Sequence, residues 1–175
     1  MRYLFRDINP NLLAVNEMRM SRLFRALLCA LPLLAVACGD ASGPSDPDLA
    51  SVQFAPALGV DIAAMTRVGS GVYIKDRVTG PGAEVAAGRT LQVRYRLWLP
   101  DGTAIEDNLA PKPTFPLVLG QRRVIAGWEE GIPGMKVGGK RLLVIPPSLG
   151  YGSAPNGPIP GNSVLVFEVE IVSMQ

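Results

Sequence analysis

Trp128 and Tyr151 are the residues of this sequence best suited to chemistry. Trp128 stands in Val124-Ile125-Ala126-Gly127-Trp128-Glu129-Glu130-Gly131, with room for about two helical turns before Gly131, Pro133 and Gly134 stop them. Tyr151 lies between Gly150 and Gly152, shortly after the aliphatic run Leu142-Leu143-Val144-Ile145 and its closing Pro146-Pro147. An indole face and a phenolic hydroxyl together make an apolar pocket with one polar handle. Such a pocket suits an apolar group of the size of a proline ring.

Other chemistries are excluded by residue type. The chain has no histidine, so Ser-His-Asp and Cys-His relays, imidazole zinc sites and histidine bases are all absent. No Ser-x-x-Lys occurs in the region that reads as a domain. The carboxylate pairs Glu106/Asp107 and Glu129/Glu130 are adjacent in sequence, diverge on a helix or strand, and read as solvated surface. Gly134 to Lys140 matches G-x-x-x-x-G-K, but Arg141 follows where a Ser or Thr would hold magnesium, and the loop leads into a strand instead of a helix. What remains is a reaction without nucleophile or base. Rotation about an X-Pro amide faces a barrier of ~18–20 kcal/mol because resonance must be broken. A dry pocket favours the twisted amide over the planar one, with one or two donors holding the carbonyl oxygen. On this reading Trp128 is the floor, and Tyr95, Phe115, Leu117, Val124, Ile125 and Ile159 are the walls. The Tyr151 hydroxyl and the Ile125 backbone N–H are the donors. The competing reading of the wall residues is plain core.

The elements that must position these residues are mostly strands. Leu91, Val93, Tyr95, Leu97 and Leu99 alternate onto one face and run into the turn Pro100-Asp101-Gly102-Thr103. Runs at 71–78, 115–119 and 140–145 are further strands, and Leu165, Phe167, Val169 and Ile171 alternate inward against Glu168 and Glu170. The pattern predicts an α+β fold in which an antiparallel sheet of about five strands has one wet face, and the helix carrying Val124, Ile125 and Trp128 covers the other.

The N-terminal part reads differently. A basic stretch at 18–25 precedes an apolar run at 26–37, and Ala35-Val36-Ala37-Cys38 ends it, as in a secretory signal. The run is too short for a comfortable bilayer span. Cys38 after small residues resembles a bacterial lipobox, which implies lipidation there; an ordinary signal peptide is the alternative. Met18 and Met20 are alternative starts. The expected organisation is a leader over 1–38, a Gly/Ser/Pro/Asp-rich tether and short arm over 39–69, and a domain over 70–175. Leu58, Ile62 and Met65 have the spacing of one helix face. Of 17 basic and 15 acidic residues, five and two precede Cys38; the remainder, 12 and 13, balance at −1. No basic patch for nucleic acid stands out. Cys29 and Cys38 are the only cysteines, so the domain is held without an internal disulfide.

The motifs Val93-x-Tyr95, Asp101-Gly102-Thr103, Val124-Ile125-x-Gly127-Trp128-Glu129-Glu130-Gly131, Met135-x-Val137-Gly138, Ile145-Pro146-Pro147, Leu149-Gly150-Tyr151-Gly152 and Leu165-Val166-Phe167-Glu168-Val169 resemble the FKBP-type peptidyl-prolyl cis-trans isomerases. The likeness covers Ser70 to Met174 and implies a curved antiparallel sheet wrapped around one short α-helix. It implies that Tyr95, Glu106, Ile125, Trp128 and Tyr151 act on the amide, and that Ile105, Phe115, Leu117, Val124, Ile159 and Phe167 hold the substrate. Proline-containing polypeptides and macrolide inhibitors are the implied ligands. No cofactor or metal is implied. Ile105-Glu106-Asp107-Asn108 departs from the family's usual Phe-Asp-Ser-Ser; Ile105 thins an aromatic wall and Glu106 is one methylene longer than Asp. Arg96-Leu97 replaces a common Thr-Gly, and Leu117 a common Phe. The expectation is an isomerase facing the periplasm from a lipid anchor in the bacterial envelope. A weakly catalytic binding module of the same fold and a structural lipoprotein are the alternatives.

Overall fold

The computed structural model describes residues 46–175. The leader, Cys38 and the tether as far as residue 45 lie outside the described residues. The sheet has seven antiparallel strands: β1 (Thr66–Val68), β2 (Val72–Val78), β3 (Thr90–Trp98), β4 (Ala104–Asp107), β5 (Phe115–Val118), β6 (Lys140–Ile145) and β7 (Leu165–Met174). Their order is β1-β2-β6-β7-β3-β4, and β5 also pairs with β3. The short β1 and β4 extend the strands expected from sequence. β4 forms because the Pro100–Thr103 turn closes as expected: Gly102 adopts φ 90, and the Asp101 carboxylate accepts from the Thr103 N–H at 2.8 Å.

The α-helix, α1 (Ala126–Gly131), lies against the inner face of the sheet. Trp128 and the following Ile132 join Leu91, Val93, Leu97, Leu143, Ile145, Leu165, Phe167, Val169 and Ile171 in the main core. Two glycines permit the close approach. A Cβ on Gly127 would lie 2.4 Å from Cγ2 of Ile145, and one on Gly131 would lie 2.5 Å from Cδ2 of Leu143. Gly127→Ala is therefore expected to destabilise: overpacking outweighs the gain in helix propensity, for a net loss of about 1–2 kcal/mol. Urea denaturation measures it, and an unchanged midpoint would show that the helix shifts freely on the sheet.

The outer face is not uniformly wet, which corrects the expectation of one solvated side. Leu142, Val144 and Val166 point away from α1 and are buried under an N-terminal arm that contributes Leu49, Leu58 and Met65. The arm is three short 3-10 turns, Leu49–Ser51, Pro56–Leu58 and Ile62–Ala64, instead of the single helix that the spacing of Leu58, Ile62 and Met65 suggests. Pro56 starts one turn, and Gly59 ends it in the left-handed region at φ 60, so no continuous helix can form. Hydrogen bonds tie the arm down: the Ala55 N–H donates to the Pro100 carbonyl at 2.8 Å, and the Arg77 guanidinium donates to the Leu58 carbonyl.

In the Gly134–Lys140 segment, read from sequence as no phosphate cradle, several amides are spent on backbone carbonyls. The Val137 N–H donates to the Ala83 carbonyl, the Gly138 N–H to Ile171 and the Gly139 N–H to Lys136. Arg141, next in the chain, is buried at 4 % exposure. Its Nε and Nη2 bond both oxygens of Asp76 at 2.6 and 3.0 Å, while Nη1 donates to the carbonyls of Gly131 and Pro133, each at 2.9 Å. One guanidinium thus joins β2 and β6 to the end of α1.

Candidate active site

Four aromatic rings from four elements meet at one end of α1. Trp128 stands nearly perpendicular to Tyr95 of β3 and to Phe167 of β7, each with ring centroids 5.3 Å apart. Phe115 of β5 meets Trp128 and Tyr95 edge-on, each at 6.2 Å. Such edge-to-face contacts are worth about 0.5–1.5 kcal/mol each beyond the area they bury. The register delivers them together: β3 sets Val93 opposite Phe115 and Leu97 opposite Phe167, so these side chains fall on the α1 side.

Above the rings is a cavity of about 390 Å³, lined by Tyr95, Leu97, Glu106, Phe115, Arg122, Arg123, Val124, Ile125, Trp128, Tyr151 and Phe167. That volume is in the range of small-ligand sites. Trp128 is only 4 % exposed. Its indole Nε1 is buried without a hydrogen-bond partner among the described residues, although burial would ordinarily demand one. Tyr151 stands at the mouth, 38 % exposed.

Glu106 reaches the site despite its extra methylene. Its Oε1 accepts from the Tyr95 hydroxyl at 2.8 Å, so the longer side chain is accommodated on β4. Burial, then the bond to Glu106 and its charge, push the Tyr95 phenol well above its ordinary value. Tyr151 shifts upward too, chiefly through burial and secondly through the charge of Glu106. Both hydroxyls therefore stay protonated and able to donate at neutral pH.

Three residues expected to hold substrate do not line the cavity. Leu117 lies two residues beyond Phe115 on the same strand face and sinks into the core at 5 % exposure. Ile159, in a tight bridge with Asn156, is likewise core at 5 % exposure. Ile105 is half-buried against the main core, while the next residue, Glu106, takes the place on the cavity wall.

Other residues act here without having been singled out in the sequence. Asn108 works as an extra rung of β3: its Oδ1 accepts from the Tyr95 N–H at 2.6 Å, and its Nδ2 donates to the Val93 carbonyl at 3.2 Å. An Asn just past a strand is a known mimic of backbone pairing, so a weak signal existed. Arg122 and Arg123 line the cavity from the loop before α1. Glu129 and Glu130 are latches, which corrects their reading as solvated surface. The Glu129 carboxylate accepts from the N–H groups of Gly120 at 2.6 Å and Arg122 at 3.0 Å, and Glu130 accepts from the Ser70 N–H at 2.8 Å. Adjacent residues diverge, as expected, and so each grips a different loop.

Glu129→Gln retains one acceptor oxygen and loses the other with the charge. It is expected to cost about 1–2 kcal/mol. Amide hydrogen exchange should speed up at Gly120 and Arg122 but not at Ser70; uniform acceleration would mean that the whole domain had loosened instead.

A family model described as FKBP-type peptidyl-prolyl cis-trans isomerase matches residues 82–172. The chain belongs to this family. An FK506-binding protein of Neisseria meningitidis serogroup B is 41 % identical over 105 residues, which are 59 % of this chain and 96 % of that protein. A 46 kDa FK506-binding nuclear protein of Spodoptera frugiperda is 42 % identical over 110 residues, but the match spans only 27 % of its length. Among solved structures, AtFKBP13 superposes with a TM-score of 0.59 at 32 % identity, covering 63 % of this chain and 98 % of that one. FkpA from Escherichia coli gives 0.57 at 34 % identity, over 65 % of this chain and 54 % of its own. The FKBP-type fold is thus shared, and the family match assigns the chain to the peptidyl-prolyl cis-trans isomerases.

Proposed function

We propose that this FKBP-type domain assists the folding of exported polypeptides by catalysing rotation about X-Pro bonds, from a lipid anchor at Cys38 that holds it facing the periplasm. The observation that carries the catalytic reading is the cavity floored by an indole with no polar partner of its own. A proline ring set on Trp128 leaves water, and the amide nitrogen with it. Resonance makes the planar amide strongly dipolar, with negative charge on its oxygen that water stabilises; the twisted amide has given up the resonance, is less dipolar and loses less on desolvation. The Ile125 backbone N–H and the Tyr151 hydroxyl have no acceptor among the described residues and are available to hold a carbonyl oxygen. Tyr95 and Glu106 fix the wall opposite. No proton moves and no covalent bond forms.

The anchor rests on the sequence around Cys38 alone. FK506-binding relatives support a macrolide as the site's inhibitor.

The test is the cis-to-trans rate of a short X-Pro peptide, with and without FK506. Acceleration that FK506 abolishes is the expected result. A folded domain that binds FK506 yet leaves the rate unchanged is a binding module instead. Cys38→Ala should move the protein from the membrane to the soluble fraction; continued membrane association would refute the anchor.

A further inference from the structure

The cavity carries two positive charges on a single lip. Arg122 and Arg123 both line it, both are exposed, and neither guanidinium makes an ion pair among the described residues. Their place is fixed by the backbone. Arg122 sits in the left-handed region at φ 53, and its N–H is held by Glu129, itself one residue past Trp128. The loop that presents the guanidinium groups is therefore fastened to the helix that supplies the floor.

The acidic side chain of the lining, Glu106, projects from β4, and the Tyr95 hydroxyl already donates to it. Asp107 beside it is paired with Lys112 at 2.8 Å. The described lining thus sums to one net positive charge, with both cations together where the chain enters Val124 and Ile125. A peptide that sets its proline ring on Trp128 and a carbonyl on the Ile125 N–H must pass this lip. Ile125 and Arg123 are two residues apart, a distance that one or two substrate residues span when extended, at about 3.3–3.6 Å each.

We propose that Arg122 and Arg123 select polypeptides bearing an acidic side chain within two residues of the proline. The selection rests on the isomerase reading of the same cavity and adds its substrate class. Two exposed cations on the rim of the cavity attract a carboxylate of the bound peptide and repel a lysine at the same position, with the modest strength of surface charges.

The test uses three peptides with one X-Pro core and Glu, Gln or Lys as the flanking residue, assayed with the full chain. At low ionic strength kcat/KM for the Glu peptide should exceed that for the Lys peptide roughly three- to tenfold. The ratio should shrink on adding salt, whose Debye length is about 10 Å at 0.1 M. In R122Q/R123Q, checked for native circular dichroism, it should fall to near one. Equal rates for Glu and Lys peptides in the unmodified chain overturn the proposal, and so does a ratio that survives in the double variant. Catalysis of all three peptides without discrimination sinks only this selectivity. A folded chain that accelerates none of them sinks the isomerase reading and the selectivity together.

Discussion

Trp128→Ala is expected to lose both the site and much of the domain's stability. The side chain is almost wholly buried and meets Tyr95, Phe115 and Phe167 edge-on, so its removal opens a hole that three rings cannot refill. Truncations of this kind cost about 3–5 kcal/mol, against total stabilities of about 5–15 kcal/mol for domains of this size. Isomerase activity should fall at least tenfold in kcat/KM, which corresponds to about 1.4 kcal/mol of barrier. Trp128→Phe separates the two effects, since a smaller ring retains an apolar floor and should fold while preserving most of the rate. The pair is measured by peptide isomerisation alongside thermal unfolding. Full activity in a folded Trp128→Ala protein would show that the indole is not the surface on which the amide twists.

Arg141→Ala should be the most damaging change away from the cavity. The guanidinium satisfies four acceptors at once: two on Asp76 and the carbonyls of Gly131 and Pro133. Removing it strands the two carbonyls at the end of α1 and leaves a void, for an expected loss of about 3–5 kcal/mol. The Asp76 side chain is 45 % exposed, so water meets it once the pair is broken. Asp76→Asn takes the counter-charge from a buried guanidinium but leaves it one amide oxygen and both carbonyls, and should cost less, about 2 kcal/mol. Arg141→Lys should rescue little, because a single ammonium cannot reach Asp76 in a two-point grip and cap the helix as well. Chemical denaturation orders the three variants; an Arg141→Ala loss below that of Asp76→Asn would place the stabilisation in the ion pair alone.

The floor and most walls of the site are legible in the sequence for a simple reason. Large aromatics at alternating strand positions must share a face, and a tryptophan between glycines on a short helix can lie flat against a sheet. Tyr95, Phe115 and Trp128 follow from those two rules, which also turn Phe167 inward; its place in the lining is what the family resemblance implies. Leu117 obeys the same alternation, but periodicity gives the side of a strand and not the depth; Ile159 lies in a loop that neither rule reaches, and both finish beneath the lining. Arg122 and Arg123 lie beyond such reasoning, because a loop residue's direction depends on which side chain captures its amide, here Glu129. The covered outer face left a trace in Leu142-Leu143-Val144-Ile145, where the absence of alternation is a mark of burial on both sides. That run alone does not say what does the covering. The answer lay in an arm whose Pro56 and Gly59 break the very helical spacing that made it noticeable.

Glu129 and Glu130 together fasten Gly120, Arg122 and Ser70 to one turn of helix, across 60 positions of sequence in the case of Ser70. Long-range fastening of this kind is what small secreted domains commonly obtain from sulfur bridges. Here carboxylates and amides perform it in a region from residue 39 onward that holds no cysteine at all. The grip on the cavity's rim is therefore indifferent to thiols, glutathione and oxidant, and the same architecture is reached in reducing and oxidising surroundings alike.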